Sequence, residues 1–490
     1  MDFFILFISS ILIIFLLPLI SFKFLTSKTI NTLARNPTNG KVPLGSMGWP
    51  IIGEGLELLK YSRLGTPEKF FFDRIAKYSS EIFTTSFLGE KVTCFCGASS
   101  NKFLFSNHSK YVEFSLLSTV KRVFPYTDPE KSEKVRKMIV SLESKKVVGI
   151  IDSMTRKHFE DFWDTKKENE VMTVYPLAKK HTFTIACKLF IGLDDPAKIN
   201  EFLKDFITII NGFFGLQINF PGTRLNRAIK ASQAMRNEIM SIINERKNNK
   251  LQHINEEDVL SYMILDNNDE DADANNDDVL TMADKMVGML IAAHDSASVV
   301  MTNITKYLAE LPEVYDAVRI EHINIAKEKG PGELLNLSDI QKMRYSWNVV
   351  CEVLRLAPPA QASFRKATTD FAYAGYFIPK GRTICWSAAS THKNHDYFPN
   401  PEKFDPSRYE GSGPAPYTYV PFGGGPHTCP GKEYAKLTIL TFVHHLVTRY
   451  KWRNLFSGPN DVGKFIFNPF PLPRNGLPIV LQPHSPDTTS

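Results

Sequence analysis

No Cys-x-x-Cys pair occurs among the six cysteines of this chain, Cys94, Cys96, Cys187, Cys351, Cys385 and Cys429. That absence argues against a structural zinc site or a redox dithiol and leaves reduced, cytosolic-type cysteines to be explained one at a time. Excess charge is also scarce: the formal net charge is +6 over 490 residues, with no basic repeat and no basic patch interleaved with aromatics. Nucleic acid is therefore not an implied partner. No acidic residue stands between Lys23 and Glu54, and no small-residue cleavage signature follows the apolar N-terminus. What the chain has in quantity is apolar side chain, 43% of residues and 36 of them Phe, against 22% charged. Such a composition supports a large core and excludes extensive disorder.

Phe3 to Leu25 is almost wholly apolar, broken by Ser9, Ser10, Pro18, Ser21 and Lys23. As a helix it would reach ~35 Å, enough to cross a bilayer. Without a cleavage site it reads as an uncleaved, single-pass signal anchor. Lys23, Lys28, Arg35 and Lys41 follow it, so the positive-inside rule keeps the remaining chain on the cytosolic side. Residues 1–25 are thus expected to be the anchor, 26–50 a basic and proline-rich hinge ending in Pro43 to Pro50, and 51–490 the catalytic body.

Within that body a helix is expected over Pro67 to Tyr78, then strands over Ile82 to Leu88 and Lys91 to Cys96, with Cys94 and Cys96 on one strand face. Helical patterns continue from Glu130 to Val148 and from Phe202 to Arg246. Asp266 to Asp278 reads as an exposed loop without chemistry of its own. A long apolar helix is expected from about Leu280 to Leu311, stopped by Pro312. It carries Ala292-Ala293-His294-Asp295-Ser296, an acid beside a hydroxyl. Glu352 and Arg355 are spaced as an ordinary i,i+3 helical ion pair.

The densest motif is Phe422-Gly423-Gly424-Gly425-Pro426-His427-Thr428-Cys429-Pro430-Gly431. Apolar residues Tyr434, Leu437, Ile439, Leu440, Phe442, Val443 and Leu446 then recur at helical spacing, which puts Cys429 just ahead of a helix N-terminus that favours a thiolate. The glycines keep bulk from the sulfur, let a flat cofactor approach the backbone and permit positive φ.

This loop, Phe-x-x-Gly-x-(Arg or His)-x-Cys-x-Gly, resembles the haem-binding loop of the cytochrome P450 superfamily. The resemblance implies a mainly α fold with small β-sheets behind one N-terminal transmembrane helix, and haem b (iron protoporphyrin IX) as cofactor. Cys429 would be the proximal iron ligand, a thiolate whose electron donation favours O–O cleavage. Phe422, Gly423 and Gly431 would shape its loop. His427 stands where Arg is usual, which makes pairing with a haem propionate pH-sensitive. Arg136 takes the place of a propionate-binding arginine, although Ser132 stands where Trp or His is usual. Arg365, beyond Pro358-Pro359, matches a second such arginine. Glu352, Arg355 and Arg408 match a structural charge network behind the haem.

The Asp295-Ser296 pair resembles the oxygen-binding groove, where Asp295 and Ser296 would relay protons. Ala293 stands for the usual Gly and Ser296 for the usual Thr, so one methyl is added and another lost. The implied activity is a monooxygenase in the endoplasmic reticulum membrane, drawing electrons from NADPH-cytochrome P450 reductase to insert oxygen from O2 into an unactivated C–H bond. Tyr417-Thr418-Tyr419-Val420-Pro421 and Gly431 to Leu437 resemble the plant clan of triterpenoid oxidases and taxane hydroxylases. A hydrophobic cyclic terpenoid is expected, triterpenoid first, with a diterpenoid or steroid-like hormone as alternatives. A reductase-independent haem-thiolate isomerase or dehydratase, and a non-catalytic haem-binding membrane protein, are the rival readings. Neither of them needs the acid-hydroxyl pair.

Overall fold

A computed structural model describes residues 35–36, 40–49, 52–87, 89–123, 145–167, 170–213, 218–248, 258–268, 276–455, 465–467 and 470–484. The expected anchor and Arg136, with Ser132, lie outside the described residues. The chain divides into two compact units, one of residues 1–118, 361–401 and 415–427, the other of 119–360, 402–414 and 428–490.

The first unit is built on a five-stranded sheet of Ile82–Phe87 (β1), Glu90–Phe95 (β2), Val112–Ser115 (β3), Ala362–Ala367 (β4) and Thr383–Ser387 (β5), in the order β1-β2-β5-β4-β3. β1 and β2 form a hairpin with Phe87 opposite Glu90, and Gly89 supplies the positive φ, 81°, that so short a connection needs. Strand alternation sorts the side chains. Cys94, Cys96 and Cys385 join Phe70, Phe71 and Phe83 in one buried cluster, while Phe95, Ile384 and Trp386 join Leu104 and Phe105 in another. Helices Glu68–Tyr78 (α1) and Gly97–Ser106 (α2) supply Phe70 and Phe71 to the first cluster and Leu104 and Phe105 to the second. The end of the expected hinge is strapped onto this unit: Thr84 N donates to Leu44 O at 2.7 Å and Ser46 N to Thr84 O at 3.1 Å. Gly45 permits the approach, since a Cβ there would lie 1.8 Å from Thr84 O.

The second unit is helical. Its axis is Asn276–Glu310 (α6), 35 residues and so about 52 Å long, packed against Val174–Ile191 (α3) and Arg224–Asn248 (α5), with Pro196–Phe213 (α4) beside them. Phe183, Phe206, Met235, Leu290 and Val299 from these four helices are all fully buried. The stretch Val279–Glu310 is long and apolar enough to cross a membrane, but 72% of its most apolar window is covered by protein, which makes it a core helix. Pro312 ends it and opens the next helix at its first turn, as expected. Arg344–Leu356 (α7) and Lys432–Arg449 (α8) carry the remaining motifs.

One expectation needs correcting. Asp266 to Asp278 is not all loop: a helix runs from Val259 to Asn268, and α6 already begins at Asn276.

Candidate functional site

The loop from Phe422 to Gly431 is held from both ends, and the boundary between the units falls inside it, after His427. On the first unit, Gly423 and Gly425 adopt φ of 70° and 67°, a region other residues enter only with strain. A Cβ on Gly424 would come within 2.3 Å of the Phe105 ring, and one on Gly425 within 2.2 Å of Phe105 O. Phe105, at the end of α2, is itself fixed edge-on against Trp386 at 5.1 Å. Glycine is thus demanded by close approach as well as by backbone shape.

His427 closes one turn of 3-10 helix, and its Nε2 hydrogen-bonds His108 Nε2, with ring centroids 3.7 Å apart. One ring must donate and the other accept, so at least one imidazole is neutral. Burial and the nearby Arg365 both push the His108 pKa down. Phe114 lies 6.2 Å from His427, and the Arg365 guanidinium stands 5.5 Å over the Phe114 ring, donating to Phe364 O at 2.8 Å. The structure therefore brings His427 and Arg365 into one cluster and adds His108, which sequence reasoning did not single out.

On the second unit, Cys429 is the one exposed cysteine, and the other five are buried. Burial pushes the thiols of Cys94, Cys96 and Cys187 well up, which keeps them protonated and inert. Cys429 instead sits just before α8, whose N-cap is Gly431, where unpaired N–H groups favour an anionic sulfur. A Cβ on Gly431 would stand 3.9 Å from Cys429 Sγ, an ordinary van der Waals contact. A soft exposed thiolate donor at Cys429 fits the iron of a haem b.

Asp295 and Ser296 turn in different directions on α6. Asp295 is buried, 2% exposed, with Oδ1 accepting from Lys179 Nζ at 3.1 Å and from the Tyr175 hydroxyl at 3.4 Å, both on α3. Burial raises its pKa, and Lys179 and Tyr175 oppose the rise. Ser296 is half-buried and donates back to Ala292 O at 2.9 Å. Among the described residues the two are not hydrogen-bonded to each other. Tyr175 and Lys179 carry no signal in the sequence, because α3 offers no motif.

The expected charge network centres on a buried pair. Glu352 and Arg355 are both fully buried, with Arg355 Nε donating to Oε2 at 2.7 Å and Nη2 to Oε1 at 2.8 Å. Asp405 N donates to Oε1 at 2.9 Å and the Tyr409 hydroxyl to Oε2 at 3.0 Å, with Arg408 Nε 3.4 Å from Oε1. Tyr409 is a further member that the spacing alone did not reveal.

The sequence model described as Cytochrome P450 matches residues 43–466. A beta-amyrin 28-monooxygenase of Solanum lycopersicum is 49% identical over 475 residues, covering 94% of this chain and 97% of that one. Another of Medicago truncatula is 49% identical over 461 residues, covering 92% and 94%. Among solved structures, the retinoic acid bound cyanobacterial CYP120A1 superposes with a TM-score of 0.78 at 26% identity, covering 91% of this chain and all of that one.

Proposed function

This chain belongs to the cytochrome P450 family, and from that premise we propose that it oxidises a cyclic triterpenoid of the β-amyrin type. It is a haem b monooxygenase that uses O2 on a hydrophobic substrate. The observation that carries the substrate is the near-full-length identity of 49% to a beta-amyrin 28-monooxygenase. The direct test is co-expression with a plant reductase in yeast that makes triterpene and diterpene scaffolds. An oxidised triterpene is expected; oxidation of diterpenes alone sinks the proposal.

In this reading Cys429 holds the iron, and Phe422, Gly423 and Gly431 shape its loop. His427, Arg365 and Arg136 hold the propionates. Haem, when bound, supplies the activation of dioxygen. The protein's own part is proton management: Asp295, buried beside Lys179, stores a proton that reaches Ser296 through water, and Ser296 passes it on when its hydroxyl turns away from Ala292 O. Ser296→Ala should leave haem and substrate binding nearly intact while product formed per NADPH falls at least about tenfold, the lost electrons appearing as peroxide. Ser296→Thr should hold or raise coupling. Equal coupling in wild type and the Ala variant would remove Ser296 from the relay and favour the rearrangement reading.

Residues 1–25 serve as the membrane anchor, with the body on the cytosolic face of the endoplasmic reticulum, where NADPH-cytochrome P450 reductase delivers electrons. Deletion of those residues should release the protein from membranes with its haem content unchanged. Loss of haem from the truncated protein would show that the segment does more than anchor.

A further inference from the structure

His294 immediately precedes Asp295 on α6 and is fully buried, yet the reading above gives it no task. Its ring stands edge-on to Phe206 of α4 at 4.5 Å and to Phe183 of α3 at 5.1 Å, so its orientation is fixed by packing. Nδ1 lies 2.9 Å from Thr182 Oγ1. The Thr182 hydroxyl has the carbonyls of Ala178 at 3.1 Å and His294 at 3.2 Å as acceptors for its own proton. With its own proton given to either carbonyl, the Thr182 hydroxyl accepts from Nδ1–H, the tautomer that leaves a lone pair on Nε2. Among the described residues Nε2 is buried and without a hydrogen-bond partner, as is Asp295 Oδ2, and Nε2 stands 3.9 Å from Asp295 Oδ1.

We infer that His294 is a positioning residue for Asp295: its Nε2 accepts the O–H of the protonated carboxyl and so stabilises the proton-loaded acid between turnovers. This rests on the reading of Asp295 as the proton store. When Asp295 is ionised, Lys179 pairs with it at 3.1 Å. When it takes a proton that charge assistance ends, and the new O–H needs an acceptor. Lys179 can only donate, and the Tyr175 hydroxyl already donates to Oδ1. The lone pair on Nε2 of the neutral imidazole is such an acceptor, and a short swing of the carboxyl closes the gap. Giving up the proton returns the carboxylate to Lys179.

Lys179 and Tyr175 are the titratable groups acting on Asp295, and Lys179 is the one acting on His294, among the described residues. From α5, Arg236 is engaged with Asp284, about three turns earlier on α6. Burial and the Lys179 charge keep His294 neutral, as the role requires.

The test uses the full-length, haem-loaded protein. The infrared C=O stretch of a protonated carboxyl, identified by its loss in Asp295→Asn, is titrated alongside product per NADPH with β-amyrin. Both signals fall as pH rises through the midpoint of Asp295. His294→Phe keeps the aromatic stack but removes the acceptor, and should lower both midpoints by about one pH unit, the worth of one hydrogen bond. His294→Gln should recover at least half of that shift. Thr182→Val, which unlocks the tautomer, should shift the midpoint the same way by less and keeps the inference testable if the Phe variant does not fold. An infrared midpoint unmoved in the His294 and Thr182 variants, with coupling lost in Asp295→Asn, overturns the inference alone. Coupling unchanged in Asp295→Asn overturns the relay reading on which it rests.

Discussion

Cys429→Ser is expected to abolish the thiolate-type carbon monoxide difference spectrum and to bring product formation to background. Serine is nearly the same size, but its hydroxyl stays protonated at neutral pH and its oxygen is a hard donor, so it offers iron neither the charge nor the polarisability of a thiolate. The fold should survive the change. The loop's shape depends on the positive φ of Gly423 and Gly425 and on the approach of Phe105, none of which involves the sulfur. The other five cysteines are buried, so none is placed to substitute. Circular dichroism and the melting temperature should therefore stay close to wild type while the spectrum vanishes. A folded variant that kept the thiolate-type spectrum would refute Cys429 as the proximal ligand.

Much of this architecture was legible because it is local in sequence. The Gly-rich loop, the helix after it, the proline that ends α6 and the Glu352/Arg355 spacing are each decided within ten or so residues. What was not legible arrives from far away along the chain. His108 meets His427 across 319 positions, and Tyr175 reaches Asp295 across 120. Neither partner carries a local signature: a lone His after a short helix and a Tyr in an apolar helix are ordinary residues until the fold sets them beside a motif. Adjacency in sequence also left direction open for Asp295 and Ser296. Successive helical residues diverge by about 100°, and here one turns into the α3 interface while the other bonds back along its own helix. The acid run at 266–278 misled, because the helices on either side of it extend to Asn268 and from Asn276.

The second large effect lies in the Glu352 network, where the pattern of damage should distinguish a buried ion pair from an ordinary helical one. An exposed i,i+3 pair is worth only a few tenths of a kcal/mol. Glu352 and Arg355 are both fully buried, and the carboxylate also accepts from Asp405 N and the Tyr409 hydroxyl. Glu352→Ala strands the Arg355 guanidinium without its counter-charge, which costs about 3–5 kcal/mol. That is a large part of a typical domain's stability of about 5–15 kcal/mol, so the variant should yield little haem-loaded protein. Glu352→Gln, which keeps the shape and some hydrogen bonds but not the charge, should fall between the Ala variant and wild type. Replacing both partners, as in Glu352→Met with Arg355→Leu, should be milder than Glu352→Ala alone, because no uncompensated charge is left buried. Haem content and unfolding midpoints across the four proteins read this directly. A double variant worse than Glu352→Ala would mean that the acid and the arginine matter mainly for what they hold separately, Asp405 and Tyr409 on one side and Lys403 O, 3.2 Å from Arg355 Nη2, on the other. In that case the network fastens residues 402–414 onto α7 through its hydrogen bonds, and the attraction between its charges is incidental.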